Sequence, residues 1–496
     1  MKYISTRNKN KKVSAAEAIL KGIADDGGLF VPESFPVLQE SDFFDMLSQS
    51  YPERAAFVIG KYLTDYSREE LLDYCEKAYS KFDGDPCPLI NIDNITFIME
   101  LWHGPTAAFK DMALTLLPHL LTAARKKCGV SGKTLILTAT SGDTGKAALE
   151  GFKDVDGTDI IVFYPADGVS VLQERQMKTQ EGKNVKVIGM RGNFDDTQNA
   201  VKRIFTSSKL REEIKEKGYE FSSANSINWG RLVPQIAYYV SAYCDLLGAK
   251  LIKKDEKVNF CVPTGNFGNI LAAYYAMKMG VPVNKLICAS NINNVLTDFL
   301  GSGVYDANRE FYRTMSPSMD ILISSNFERL LFEILGRNDK AVAEKMAQLK
   351  ESGKYEIPAI EVVKKASEFI GGFAEEDEAL AAIGNFYEAH DYVLDPHTGV
   401  AAAVYNSYSA KTKDETKTVI TATASPYKFP SDVYDALTGS LVEDEFKALK
   451  KLRSFTGENI PEPLLGLDKK RILHDRVIDK EEAARAVTEY VDYSKG

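Results

Sequence analysis

The sequence predicts an α/β protein: two open, mostly parallel α/β units behind a mainly helical N-terminal region. Three observations carry that prediction. Short apolar runs recur about every 25 residues from Thr134 onward with helical stretches between them, the rhythm of βαβ crossovers. Turns rich in glycine and hydroxyl residues join several of those runs to the helices that follow. A chain of 496 residues, at ~150 residues per domain, has room for two or three domains.

The elements follow in order. Ser14-Ala-Ala-Glu17 matches a capping box ahead of Ala18, Ile19 and Leu20. Asp25-Asp26-Gly27-Gly28 then turns the chain before Leu29-Phe30-Val31-Pro32. A second helix is predicted over 68–81, and Asp83-Gly84-Asp85-Pro86 reads as a linker that closes a first region, 1–88. The first α/β unit, 89–240, holds strands at 134–138, 160–163 and 185–188 and helices at 146–152, near 171–180 and at 197–205. The second, 241–496, resumes with a strand at 257–262, a helix at 269–279, a strand at 285–289 and a last strand far downstream at 416–422. No internal repeat or low-complexity tract interrupts the pattern.

Composition narrows the function classes. With 44% hydrophobic and 26% charged residues, a core of normal size is available, which sets aside disordered and disulfide-scaffold classes. Lys plus Arg is 61 against 70 Asp plus Glu, a net charge of −9 that argues against a nucleic-acid partner but leaves room for local anion sites. The six cysteines form no C-x-x-C pair, and the five histidines no H-x-x-x-H pair, so neither a zinc site nor a disulfide framework is expected. Met1-Lys-Tyr-Ile-Ser-Thr-Arg7 is followed by charge rather than an apolar stretch, and no apolar run approaches the ~20 residues of a membrane span. The expectation is a cytoplasmic protein with free thiols, no metal and no membrane contact.

Ligands of open α/β sheets sit at the carboxyl ends of strands, so the strand-to-helix loops carry the functional argument. Pro263-Thr-Gly-Asn-Phe-Gly-Asn269 joins an apolar strand to a helix. Its glycines allow a close backbone approach, and the helix start aims free N–H groups at an anion such as phosphate. An ordinary turn would use the same glycines. Thr140-Ser-Gly-Asp-Thr-Gly-Lys146 imitates the end of a Walker A loop, but Thr140 stands where Gly is needed and Ala147 follows the lysine, which rejects an NTPase. Its hydroxyls suit a carboxylate or phosphate, or simple helix capping. In His103-Gly-Pro-Thr-Ala-Ala-Phe-Lys-Asp-Met-Ala113, Pro105 and Thr106 read as a helix start, placing Lys110 one or two turns into a helix made to be buried. Such a lysine either snorkels to the surface or is desolvated and used as a neutral amine.

A lysine in apolar company, a phosphate-grade loop and a hydroxyl-rich loop together describe a pyridoxal-phosphate site. The chain is similar, nearly end to end, to the threonine synthases, members of the fold-type-II (tryptophan-synthase-β-like) pyridoxal-phosphate enzymes. The resemblance rests on Tyr3-Ile-Ser-Thr-Arg7, Gly27-Gly-Leu-Phe-Val-Pro32, His103-Gly-Pro-Thr106 through Phe109-Lys-Asp111 and Ala139-Thr-Ser-Gly-Asp-Thr-Gly145. It continues through Gly192-Asn-Phe-Asp-Asp196, Ser226-Ile-Asn-Trp-Gly-Arg231, Thr264-Gly-Asn-Phe-Gly-Asn269 and Leu394-Asp-Pro-His-Thr398.

That resemblance implies roles. Lys110 would carry pyridoxal 5'-phosphate as a Schiff base, and Gly265, Asn266, Phe267, Gly268 and Asn269 would hold its phosphate. Asp143 would lie near the ring hydroxyl. The family's T-A-H-P-A-K-F segment reads Thr423-Ala-Ser-Pro-Tyr-Lys-Phe429 here, so Thr423 would meet the pyridine nitrogen, with Thr421 as the nearby alternative. Ser425 and Tyr427 replace the family's His and Ala, which removes any task given to that histidine. The implied reaction converts O-phospho-L-homoserine and water into L-threonine and phosphate, the last step of threonine biosynthesis. Arg231 and Asn228 are candidates for the substrate's phosphate, Ser141 and Thr144 for its carboxylate or phosphate end, and Arg7 is a weaker candidate. The expected partner is this small molecule, taken by a monomer or a small homo-oligomer. Two other readings stay open: a phospho-lyase on the same substrate that releases 2-oxobutyrate, and a non-catalytic relative that binds the cofactor or a phosphate ester.

Overall fold

Strands buried on both faces need helices on both sides, and that requirement organises the chain around two sheets. The computed structural model describes residues 1–493, except the side chain of residue 195. In the larger sheet the strand order is Phe369–Phe373, Val283–Ser290, Val258–Pro263, Thr418–Ala422, Thr96–Glu100 and Leu89–Asn91. All neighbours run parallel except the edge strand Leu89–Asn91. Ile420 faces Cys261 on one side and Ile98 on the other, so the strand from far downstream sits in the middle of the sheet. The smaller sheet is all parallel, in the order Val477–Ile478, Val185–Met190, Thr158–Pro165, Lys133–Ala139 and Tyr219–Ser222. Both sheets are the α/β units expected from the apolar rhythm.

The linear division at residues 88 and 240 does not follow sheet membership. Strands 89–91 and 96–100 belong to the larger sheet, and the smaller sheet takes back Val477–Ile478 and the helix Ala483–Tyr493. Hydrogen bonding across hundreds of residues leaves no local mark in the sequence, which is why the cuts fell elsewhere. The N-terminal region also holds an antiparallel ribbon, Tyr3–Ser5 with Phe30–Pro32, and every residue of both strands is buried. Tyr3 packs its ring 5.1 Å from Trp229, which heads the almost wholly buried helix Trp229–Gly248.

Local signals did hold. Ser14 and Glu17 form the capping box, and Ser67 with Glu70 forms a second one that opens Arg68–Tyr79. The predicted placing of Lys110 inside a helix did not. The chain from His103 is a turn with Ala107 at φ 57°, and the helix spans only Asp111–Leu114, with Lys110 as its cap. Asp111 causes this: its carboxylate accepts from Thr106 N at 2.8 Å and Thr106 Oγ1 at 2.7 Å, folding the turn onto the helix start. Ala108 then bridges to Ala424, Phe109 N donates to Thr423 O at 2.8 Å, and Ser425 N donates to Ala107 O at 3.1 Å. Lys110 is thus fixed from both sides by main chain.

The helix Asp143–Phe152 lies against Lys110's short helix through Gly151, where an added Cβ would collide with the Leu114 carbonyl. We expect Gly151→Val to lower stability by about 1–3 kcal/mol, because the collision is with backbone. A denaturant midpoint equal to that of the unsubstituted chain would show that the two helices separate freely.

Candidate active site

The chemistry-bearing residues lie just past strand ends. Lys110 follows Thr96–Glu100, Asp143 follows Lys133–Ala139, Gly265 follows Val258–Pro263 and Thr423 follows Thr418–Ala422, which is where ligands of open α/β sheets sit. Lys110 is 8% exposed. Its Nζ donates to Ser318 Oγ at 2.9 Å and to Asp143 Oδ2 at 3.3 Å. The other oxygen of Asp143 pairs with Lys428 Nζ at 2.7 Å and accepts from Gln173 Nε2 at 2.9 Å. Lys428 has no exposed side-chain surface and also donates to Thr106 O at 3.0 Å.

One buried carboxylate therefore serves two buried lysines. Burial works to raise the Asp143 carboxyl, but Lys428 and Lys110 outweigh it and hold it well below the usual carboxylate range. Burial pushes the Lys110 amine down; Asp143 opposes that, while Lys428 and Arg231 add to it. Arg231 is also buried, and burial lowers its guanidinium to about 10. Its Nη1 donates to Ala224 O at 2.8 Å, but among the described residues its Nε has no hydrogen-bond partner and no carboxylate pairs with it. A buried, unpaired arginine is costly without an anion to meet it.

The expected phosphate loop has the required form. Phe267 adopts φ 63° and gives no side-chain cap to the helix Gly268–Lys278, so the first N–H groups of that helix are left without one. The Phe267 ring packs 5.0 Å from Phe327 and 5.7 Å from Phe369, so this residue offers the site its main chain only. Asn269 Oδ1 accepts from Tyr238 and Tyr239, while its buried Nδ2 has no acceptor. Asn266 O accepts from Asn326 Nδ2 at 3.1 Å, and Asn326 Nδ2 also reaches Ser226 O at 3.3 Å. Gly265 abuts the main chain of Ser318, the residue on Lys110. Gly268, by contrast, would bring a Cβ no closer than 3.4 Å to any protein atom.

Other expected residues divide. Ser141 and Thr144 flank Asp143, are half-buried and make no side-chain hydrogen bond among the described residues. Thr423 lies beside Lys110's turn and holds Phe109 through its carbonyl. Thr421 is inside its strand, its buried hydroxyl without a hydrogen-bond partner and the Tyr239 phenol as a polar neighbour. Asn228 opens the helix that carries Arg231: its Nδ2 donates to Ile19 O at 3.0 Å and its Oδ1 accepts from Gly230 N at 2.9 Å, leaving the second N–H of the amide over. Arg7 donates from Nε and Nη2 to the Glu328 carboxylate at 2.9 and 2.7 Å. In Gly192–Asp196, Asn193 and Asp196 form a capping box, and the Asp195 side chain lies outside the described residues.

Sequence reasoning missed Ser318, Gln173, Lys428 and His397. Ser318 N donates to His397 Nε2 at 3.2 Å, and His397 Nδ1 bonds Asp395 Oδ1 at 2.9 Å, with Thr398 Oγ1 on the second oxygen. His397 belongs to the Leu394–Thr398 motif and Lys428 to the segment that carries Thr423; Ser318 sits in the one-turn 3-10 helix Pro317–Met319, outside every element read from the sequence.

These groups fit pyridoxal phosphate. The donors of Asn269 Nδ2 and the uncapped helix suit its phosphate, and Lys110 is a buried amine for its aldehyde. Among the described residues, no cluster of three or more His, Cys, Asp or Glu side chains could hold a metal ion.

Comparison with known proteins agrees. Three family models match in succession: "Threonine synthase N terminus" over 2–79, "Pyridoxal-phosphate dependent enzyme" over 83–424 and "Threonine synthase, C-terminal" over 398–491. Threonine synthase-like 1 of Homo sapiens is 40% identical over 88% of the chain, which spans 60% of that relative's length. Threonine synthase of Pseudomonas aeruginosa is 39% identical, covering 88% of the chain and 91% of the relative. The crystal structure of PLP-bound threonine synthase from Brucella melitensis superposes with a TM-score of 0.88 at 37% identity, over 100% of this chain and 99% of that one.

The geometry distinguishes the two loop glycines. Gly265→Ala should raise the dissociation constant for pyridoxal phosphate at least about tenfold, since the new Cβ meets the Ser318 carbonyl. Gly268→Ala should cost less, having room on the protein side. Equilibrium titration of the cofactor into each apoprotein checks both, and equal affinities would remove the argument from Gly265.

Proposed function

Because the chain belongs to the threonine synthase family of pyridoxal-phosphate-dependent enzymes, we propose that it converts O-phospho-L-homoserine and water into L-threonine and phosphate. The observation that supports this best is Arg231: a buried cation without a carboxylate, close enough to Lys110 to depress its amine. It suits a substrate that carries a phosphate of its own, besides the one held by the loop at 265–269.

Lys110 would carry the cofactor, the main chain of Gly265, Asn266, Phe267 and Gly268 with the Asn269 amide would hold its phosphate, and Asp143 and Thr423 would serve its ring. When bound, the cofactor supplies the electron sink that lets carbons next to an amino group lose protons. Lys110 is the base for that proton. Its amine is held below the ordinary lysine value by burial, so it accepts a proton at one substrate carbon and returns it at the next. Arg231 grips the departing phosphate with the Ser141 and Thr144 hydroxyls, a charge-assisted arrangement. Asn228 serves the same end indirectly, by capping the helix from which Arg231 projects. All six cysteines are free thiols, in keeping with a cytoplasmic setting. Among the described residues no helix is long and apolar enough to cross a membrane.

Product analysis after incubation with O-phosphohomoserine tests the proposal. Equal amounts of threonine and phosphate are expected; 2-oxobutyrate would make the protein a phospho-lyase, and no turnover a binding relative. Lys110→Ala should abolish the borohydride-reducible cofactor adduct and leave the fold intact. Arg231→Lys keeps the charge but loses the planar fork. The loss of one charge-assisted contact, about 1.5–3 kcal/mol, predicts kcat/KM lower by about 10- to 150-fold with unchanged cofactor affinity. Loss of cofactor instead would assign Arg231 to the cofactor site.

A further inference from the structure

Lys428 is the least exposed cation of the site, yet neither the proposed reaction nor the loops claim it. Its side chain has no exposed surface, and its Nζ spans from Asp143 Oδ1 at 2.7 Å to the Thr106 carbonyl at 3.0 Å. Thr106 in turn anchors Asp111, the residue after Lys110. Lys428 therefore touches the support of Lys110 on both sides: through the carboxylate that Lys110 shares, and through the turn that holds it.

We propose that Lys428 is a positioning residue for Lys110: by taking the nearer oxygen of Asp143, it keeps the Lys110 amine from being fixed as an ammonium and leaves it free to react as a neutral nucleophile. The proposal rests on the reading of Lys110 as the cofactor's attachment point.

The charge balance supports it. Lys110 meets Asp143 from the start of one helix and Lys428 from the turn Pro426–Lys428, while Arg231 acts on Lys110 from the helix Trp229–Gly248. Farther out, His397 acts on Asp143, and Asp111 and Lys146 interact with Lys428. Two buried lysines share the one carboxylate of Asp143, in a place where water cannot settle the difference. Asp143 can compensate one lysine well, and the shorter contact, 2.7 against 3.3 Å, goes to Lys428. Lys110 is left with a longer contact and a hydroxyl, Ser318 Oγ at 2.9 Å, which serves a neutral amine equally well. Without Lys428, Asp143 would have one lysine partner, and Lys110 would gain a full ion pair and lose a repelling charge. Both changes favour the ammonium.

The test measures capture of pyridoxal 5'-phosphate by the full-length apoprotein across pH, trapped with borohydride and quantified at Lys110 by mass spectrometry. The unsubstituted chain should capture with an inflection below the ordinary lysine value of ~10.4. K428M should move that inflection up by about one pH unit or more and slow capture near neutral pH about tenfold. K428R, which restores the charge, should recover most of both. A K428M profile with the original inflection overturns the proposal, as does a K428R profile matching K428M, which would make shape rather than charge the cause. An inflection at the ordinary lysine value in the unsubstituted chain also overturns it, whatever the folding of the variants. An adduct at a different lysine overturns the reading of Lys110 itself, an outcome distinct from capture at Lys110 with an unshifted profile.

Discussion

The strand Thr418–Ala422 enters the larger sheet between Val258–Pro263 and Thr96–Glu100, and the site depends on that insertion. Its hydrogen bonds to both neighbours fix the relative height of the strand ends that carry the phosphate loop and the turn of Lys110. The chain then continues past the sheet and pairs residues 107–109 with 423–425. One more turn delivers Lys428 to Asp143, which belongs to the smaller sheet's first helix. A single segment thus ties both sheets to one carboxylate, through main-chain bonds that tolerate little drift.

A second set of ties comes from the N-terminal side. Arg329 is wholly buried and donates to the carbonyls of Phe30 and Ile227 and to the Asn326 side chain. Asn326 in turn holds Asn266 and Ser226. The ribbon strand at Phe30, the segment leading to Arg231 and the phosphate loop are therefore joined by two side chains. Satisfying a buried guanidinium with carbonyls instead of a carboxylate leaves its positive charge uncancelled near the loop at 265–269, where it adds to the field that favours anions.

What could be read from the sequence follows from the range of each interaction. The capping box at Ser14, the helix that opens at Arg68, the βα loops after Ala139 and Pro263, and the apolar strands depend on residues within a few positions of each other, and they stand where expected. The environment of Lys110 does not. Its helix is shorter than its apolar sequence suggests because Asp111 turns back to Thr106 and because a segment more than 300 residues away pins Ala107 and Phe109. Asn228 has the composition of a ligand-binding residue, but the backbone at Ile19 claims its amide. Phe267 belongs to a motif whose other members offer polar groups, yet its ring is core. Ser318, in a 3-10 helix of a single turn, too short to show periodicity, reaches Lys110 because Gly265 lets that turn approach.

The smaller sheet is completed by Val477–Ile478, which pair with Gly189 and Met190, and by the helix Ala483–Tyr493 packed beneath. Proteins are made from the N-terminus, and domains begin to fold as they emerge. Four strands of this sheet are complete by Ser222, but Gly189 and Met190 at the end of its edge strand stay unpaired, and the apolar face behind them uncovered, until residues 477–493 have been made. Through most of synthesis the nascent chain carries an open parallel edge with apolar residues behind it, the kind of surface that other chains can pair with. Its yield in a cell should therefore depend on how long that edge waits, so that slow translation of the second half, or a chaperone that covers an open strand, matters more than the stability of the finished fold.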